Sequence, residues 1–127
     1  MASSVWGGPH ESAEKFMMSF LRACAAGKPY IVTHPLRRRD FVHITTFCEA
    51  IEQLTRHKDY KLRYFATGKL TSFWQVYNWL RVITRSEFPN VRFADDESTN
   101  YEWFVEKPEF PDTFGEDLER EWRGLMS

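Results

Sequence analysis

Residues 70–84, LTSFWQVYNWLRVIT, constrain the fold more than any other stretch of the chain. Gly68 precedes them and Pro89 follows, so the segment has marked ends. On a helical wheel Phe73, Val76, Tyr77, Leu80 and Ile83 share one stripe, the face that a helix turns to a core. Trp79 borders that stripe. Trp74 projects away from it, towards Asn78 and Arg81, with Leu70 one turn earlier. A large apolar side chain off the core face is more informative than one on it. Either the chain covers Trp74 with its N-terminal helix or a loop, or Leu70 and Trp74 form a partner-binding patch, since tryptophan often anchors interfaces.

The flanking chain reads as alternating short elements. The first ten residues are small and glycine-bearing, as in a loose tail. From Ser12 to Ala26 the spacing of Phe16, Met17, Phe20, Leu21 and Cys24 predicts a helix, stopped by Gly27. Pro29 and Pro35 impose an extended connection. The β-branched and aromatic run at 40–47 predicts a strand, followed by a short helix or turn to about His57; a helix starting at Asp40 is the competing reading. Strands are expected at 60–68, 91–94 and 101–107, the last two joined by the acidic turn DDESTN. Leu118, Trp122 and Leu125 have helical spacing. Strands paired in sequence, with helices between them, predict an α+β fold with an antiparallel sheet and helices on one face.

Composition sets limits. The chain has 127 residues, 43% of them hydrophobic and 17% aromatic, enough for the core of one domain. A formal net charge of −1 excludes a domain that relies on bulk attraction to nucleic acid, so RNA recognition would need a local site with stacking. Cys24 and Cys48 make no CxxC unit, there is no basic-then-apolar leader, and no apolar run is long enough to span a bilayer. An intracellular, reducing compartment is expected.

Three motifs stand out together: HPL at 34–36, FWQVYNWL from Phe73, and YEW at 101–103. With a weaker LEREW near the end, they make residues 30–126 resemble eukaryotic translation initiation factor 4E, the family that binds the mRNA 5′ cap. The resemblance implies a curved antiparallel sheet with helices packed on its convex, dorsal face. It also implies a single domain over 12–127 with an additional N-terminal helix at about 12–26, preceded by a flexible tail over 1–11. In that family the dorsal surface receives an initiation factor 4G-like or 4E-binding-protein-like helix, and the positions that carry over are His34, Pro35, Leu70 and Trp74. The cap, 7-methylguanosine, is stacked between two aromatic rings and held by a carboxylate. The corresponding residues here are Trp103, with Tyr60 as the substitute second ring and Glu106 as the nearby acid. No tryptophan lies between the first strand and Gly68, and Phe104 follows Trp103 where the family has a carboxylate.

The remaining constellations carry less. His10, His34, His43 and His57 lack metal-ligand spacing, and Asp95, Asp96 and Glu97 lack the ligand set of a calcium loop. Gly27-Lys28 and Gly68-Lys69 lack the rest of a phosphate loop, and His43 with Cys48 does not make a nucleophile. Arg37, Arg38 and Arg39 read as a solvated turn, with RNA phosphates as the alternative ligand. The expectation is therefore a non-enzyme without cofactor or metal, acting in translational control in the cytoplasm, with the nucleus as a second compartment. Its partners would be a dorsal-face protein and capped mRNA, with no membrane. An open sheet edge would be covered by the N-terminal helix, by self-association or by a protein partner. The alternative is a non-cap-binding structural adaptor or an obligate subunit of a complex.

Overall fold

A computed structural model describes residues 4–12, 15–58, 66–95 and 110–127. In chain order the elements are β1 (Ser4–Trp6), α1 (Phe16–Ala26), β2 (Tyr30–Val32), β3 (Arg38–Arg39), β4 (Phe41–His43), α2 (Ile44–Arg56), β5 (Thr71–Ser72), α3 (Phe73–Thr84), β6 (Val91–Phe93) and α4 (Phe114–Met126). Among the described residues the strands form three two-stranded sheets. β1 pairs with β4 and β2 with β6, both parallel, while β3 and β5 are antiparallel.

The helices begin and end where their sequences allow. α1 stops at Gly27, whose φ of +67° suits a residue without a Cβ; the Gly27 and Lys28 N–H groups then bond back to Cys24 and Ala23. Its first turn is held from outside the helix, because the Glu11 carboxylate accepts the Met18 N–H at 2.6 Å. α3 opens with a reciprocal cap, Ser72 Oγ taking the Gln75 N–H and Gln75 Oε1 taking the Ser72 N–H. α2 is capped by a ring nitrogen: His43 Nδ1 accepts the Thr45 N–H at 3.2 Å.

The core lies between α1, α3, α4 and β4. Phe20, Leu21, Val76, Leu80 and Leu118 are fully buried there, with Met17, Met18 and Val32 beside them. A chain of rings runs through it: Phe16 stacks on Phe73 at 4.0 Å, Phe73 meets Phe41, Phe41 meets Phe114, and Phe114 meets Trp6. As expected from the wheel, Val76, Tyr77 and Leu80 are buried, Phe73 and Ile83 pack against the core, and Trp74 stands 43% exposed.

The expected architecture is corrected. Two of the three sheets are parallel, and parallel pairing requires crossover connections that a curved antiparallel meander does not have. The sequence at 40–47 divides earlier than expected, with the strand ending at His43 and Ile44 already helical. The reason is the His43 ring, which supplies a cap that alternating hydrophobicity does not reveal. Residues 4–6, expected in a loose tail, form β1, and Trp6 is only 2% exposed. The strand readings at 101–107 and over most of 60–68 lie outside the described residues.

Candidate functional site

Asp40 fixes one wall of the site. Its side chain is buried, and it accepts the Thr67 N–H and Oγ1–H and the Gly68 N–H, the last two at 2.7 and 2.8 Å. Its main-chain carbonyl takes the Ser4 N–H at 2.8 Å. One residue thus ties the start of β1 to the segment ahead of β5. The β3–β5 pairing, with Arg38 opposite Ser72 and Arg39 opposite Thr71, then sets the arginine run against the start of α3.

On the other side, Gly7 and Gly8 turn the chain sharply, with φ of +101° and +82°. A Cβ at Gly7 would collide with His43 Nε2. The two glycine N–H groups are taken by carboxylates, Gly7 by Glu11 and Gly8 by Glu121, each at 3.0 Å. Glu121 Oε1 also lies 2.7 Å from His43 Nε2. Because Thr45 N–H donates to Nδ1, Nε2 is the nitrogen that donates to Glu121. This cluster is internally satisfied and holds β1, β4 and α4 together.

Between these walls lie two cavities of about 350 and 380 Å³ that share Val5, Trp6, Glu11 and Lys15. The first has an aromatic surface of Trp6, Phe16, Phe41 and Phe73, with Arg37 and Arg39 at its rim. Both volumes fall in the range of small-molecule sites, about 300–1,000 Å³. Partial burial, and then the neighbouring Arg37 charge, hold the Arg39 guanidinium below its ordinary value. Among the described residues neither Arg37 nor Arg39 is ion-paired; Arg39 donates only to the Arg38 carbonyl. Glu11 cannot neutralise them freely, being occupied by the Gly7 and Met18 N–H groups. The indole N–H of Trp6 is buried without an acceptor. Two like charges beside an apolar hollow favour an anionic ligand with several acceptor oxygens.

The residues singled out from sequence lie elsewhere. Trp74 packs edge-on against Phe93 at 4.7 Å, and its main-chain N–H donates to the Pro35 carbonyl at 2.8 Å. Pro35 is buried, His34 and Leu70 are half-buried, and none of the four lines the cavities above. Trp103, Glu106 and Tyr60 lie outside the described residues. Sequence reasoning missed Trp6, Phe16, Phe73, Arg37 and Arg39 as a site. The arginine run was the visible signal, and it reads as a solvated turn until β3 is paired with β5. Among the described residues no group of three or more His, Cys, Asp or Glu is placed to hold a metal, and no helix is long and apolar enough to cross a membrane.

No protein-family model matches the sequence, and the comparison with curated proteins returns no match. The fold, however, is similar to that of solved enzymes. The dTDP-glucose 4,6-dehydratase from Bacillus anthracis, in complex with NAD, aligns with a TM-score of 0.73 at 18% identity over 97% of this chain and 43% of that one. The UDP-N-acetylglucosamine 4-epimerase from Methanobrevibacter ruminantium, in complex with UDP-N-acetylmuramic acid, aligns with a TM-score of 0.75 at 18% identity over 99% and 45%. The UDP-glucose 4-epimerase from Thermus thermophilus, in complex with NAD, gives 0.74 at 17% identity over 98% and 44%. The chain thus spans less than half the length of each. These likenesses establish a Rossmann-like α/β fold with parallel strands and overturn the kinship with initiation factor 4E. The dorsal-partner, capped-RNA and translational roles rested on that kinship and fall with it. So does the expectation of a non-enzyme, since the neighbours are dehydratases and epimerases.

In folds of this kind the pyrophosphate of a dinucleotide rests on a Gly-x-Gly-x-x-Gly turn between a strand and a helix. The six glycines of this chain, at 7, 8, 27, 68, 115 and 124, contain no such run. The sequence therefore lacks that glycine-rich turn.

Proposed function

We infer that this chain supplies the substrate-holding part of a nucleotide-sugar dehydratase or epimerase, with the cavity at Trp6, Arg37 and Arg39 receiving a nucleoside diphosphate sugar. The observation that carries this reading is the pair of arginines without acidic partners beside an aromatic cavity. Neighbouring solved structures of the same fold contain UDP-N-acetylmuramic acid or UDP-glucose, ligands with the diphosphate that such a pair suits.

Each residue has a physical role in that reading. Arg37 and Arg39 bind and orient the diphosphate. Phe16, Phe41 and Phe73 exclude water and present apolar surface to flat or weakly polar ligand faces. Asp40 and the Glu11 carboxylate act indirectly, by fixing the backbone that carries these groups.

Titration calorimetry with UDP-glucose and dTDP-glucose, set against free glucose, tests the reading. Both nucleotide sugars are expected to bind and glucose to give no heat. Arg37→Ala and Arg39→Ala should each weaken binding by about 1.5–3 kcal/mol, the loss of a hydrogen bond to a charged group. Unchanged affinity in folded arginine variants refutes it.

A further inference from the structure

The His43 ring does more than cap α2. Both of its nitrogens have side-chain partners: Nδ1 lies 2.8 Å from Thr45 Oγ1, and Nε2 lies 2.7 Å from Glu121 Oε1. The tautomer fixes the direction of both contacts. Nε2 carries the proton and donates it to Glu121, so Nδ1 is bare, and the Thr45 hydroxyl is the donor in the 2.8 Å contact. The Thr45 amide reaches the same nitrogen from 3.2 Å, so the hydroxyl is the nearer of its two donors. Capping accounts for the amide and leaves the hydroxyl contact unexplained.

Burial separates the roles. The His43 and Glu121 side chains are 3% and 18% exposed, whereas Thr45 is exposed on the first turn of α2. A hydroxyl open to solvent thus donates to an imidazole shielded from it, and a carboxylate orients that imidazole from behind. Nucleophile, base and orienting acid within hydrogen-bond reach of one another are the arrangement that activates a weakly acidic hydroxyl. The first turn of α2 is also the positive end of its dipole, which favours negative charge developing on a nearby oxygen. Ile44, the residue before Thr45, lines the cavity of about 380 Å³ with Val5 and Pro9, an apolar hollow one residue from the hydroxyl.

We propose that Thr45, His43 and Glu121 form a nucleophilic site that takes an acyl group from an activated ester. Thr45 Oγ1 attacks the ester carbonyl carbon and forms a new C–O bond, while its proton passes to His43 Nδ1. The bond to the leaving oxygen then breaks, and that oxygen takes the proton from Nδ1. Glu121 balances the imidazolium in between by holding the Nε2 proton, and so acts as a positioning residue through the ring. Water releases the acyl group as a carboxylic acid by the same steps, with His43 again the base. None of the three residues lines the cavity of Arg37 and Arg39, so this site stands apart from the nucleotide-sugar reading.

The full chain mixed with p-nitrophenyl acetate provides the test. A stoichiometric burst of p-nitrophenol is expected, with peptide mass spectrometry placing the acetyl group on Thr45. Thr45→Val keeps the shape of the side chain and should abolish the burst, whereas Thr45→Ser should retain it. Glu121→Gln isolates the charge, because Oε1 alone accepts both the His43 and the Gly8 protons and an amide oxygen can keep both bonds. That variant should acylate about tenfold or more slowly at unchanged KM, a loss that a purely structural Glu121 would not produce. Circular dichroism confirms each variant folded. The absence of acetyl on Thr45, a burst that survives Thr45→Val, or an undiminished rate in Glu121→Gln overturns the proposal.

Discussion

α2 and α3 are built alike and packed to different depths. Both follow directly on a short strand, both are capped at the first turn, and both carry an apolar stripe over twelve or thirteen residues. α3 fully buries Val76, Tyr77 and Leu80, whereas Ile44, Phe47 and Leu54 of α2 are only half-buried. The difference lies in what each stripe faces. α3 meets the aromatic core shared with α1 and α4, whereas α2 packs on β1 and β4. Amphipathic spacing therefore marks the face that packs, and does not give the depth to which it is buried.

Substitution on the two helices should separate them sharply. Leu80→Ala, at a fully buried site, is expected to cost about 2–5 kcal/mol in chemical denaturation. Ile51→Ala, at the matching position of α2, should cost less than about 1 kcal/mol in the isolated chain. Similar losses at both sites would erase the contrast. Asp40→Ala comes next, at about 2–3 kcal/mol, since it strands the Thr67 and Gly68 donors in a buried place. Ser72→Ala removes the α3 cap and should cost about 1 kcal/mol, read as a lowered melting temperature.

The smallest effect concerns Cys24. Its thiol ionises near 9 when unfolded and about 12 in the fold, because burial disfavours the thiolate. Above pH 9 the unfolded chain therefore binds fewer protons than the folded one, and stability falls as pH rises towards 12. Cys24→Ala should flatten that alkaline slope in pH-dependent denaturation. An identical slope in the variant would place the thiol outside the core.

What could be read in advance was local. The end of α1 at Gly27, the buried face of α3 and the spacing of Leu118 and Trp122 all follow from a few neighbouring residues. The sheets did not, because each strand is only two or three residues long and its partner lies far along the chain. Nothing in Ser4–Trp6 indicates that it pairs parallel with Phe41–His43. The arginine run was conspicuous, but its place at a cavity depends on the β3–β5 register. The misleading signals were short motifs. His34-Pro35-Leu36 and Phe73-Trp74 occur in a different fold, and the exposure of Trp74 alone does not identify a family.

The central claim is that Arg37 and Arg39 grip the diphosphate of a nucleotide sugar. Phosphorus NMR of UDP-glucose during titration with the protein tests it most directly. Both phosphorus resonances should shift or broaden with wild type and stay at their free positions with a folded Arg37→Ala, Arg39→Ala double variant. Resonances that respond equally to the double variant, or to neither protein, would contradict it.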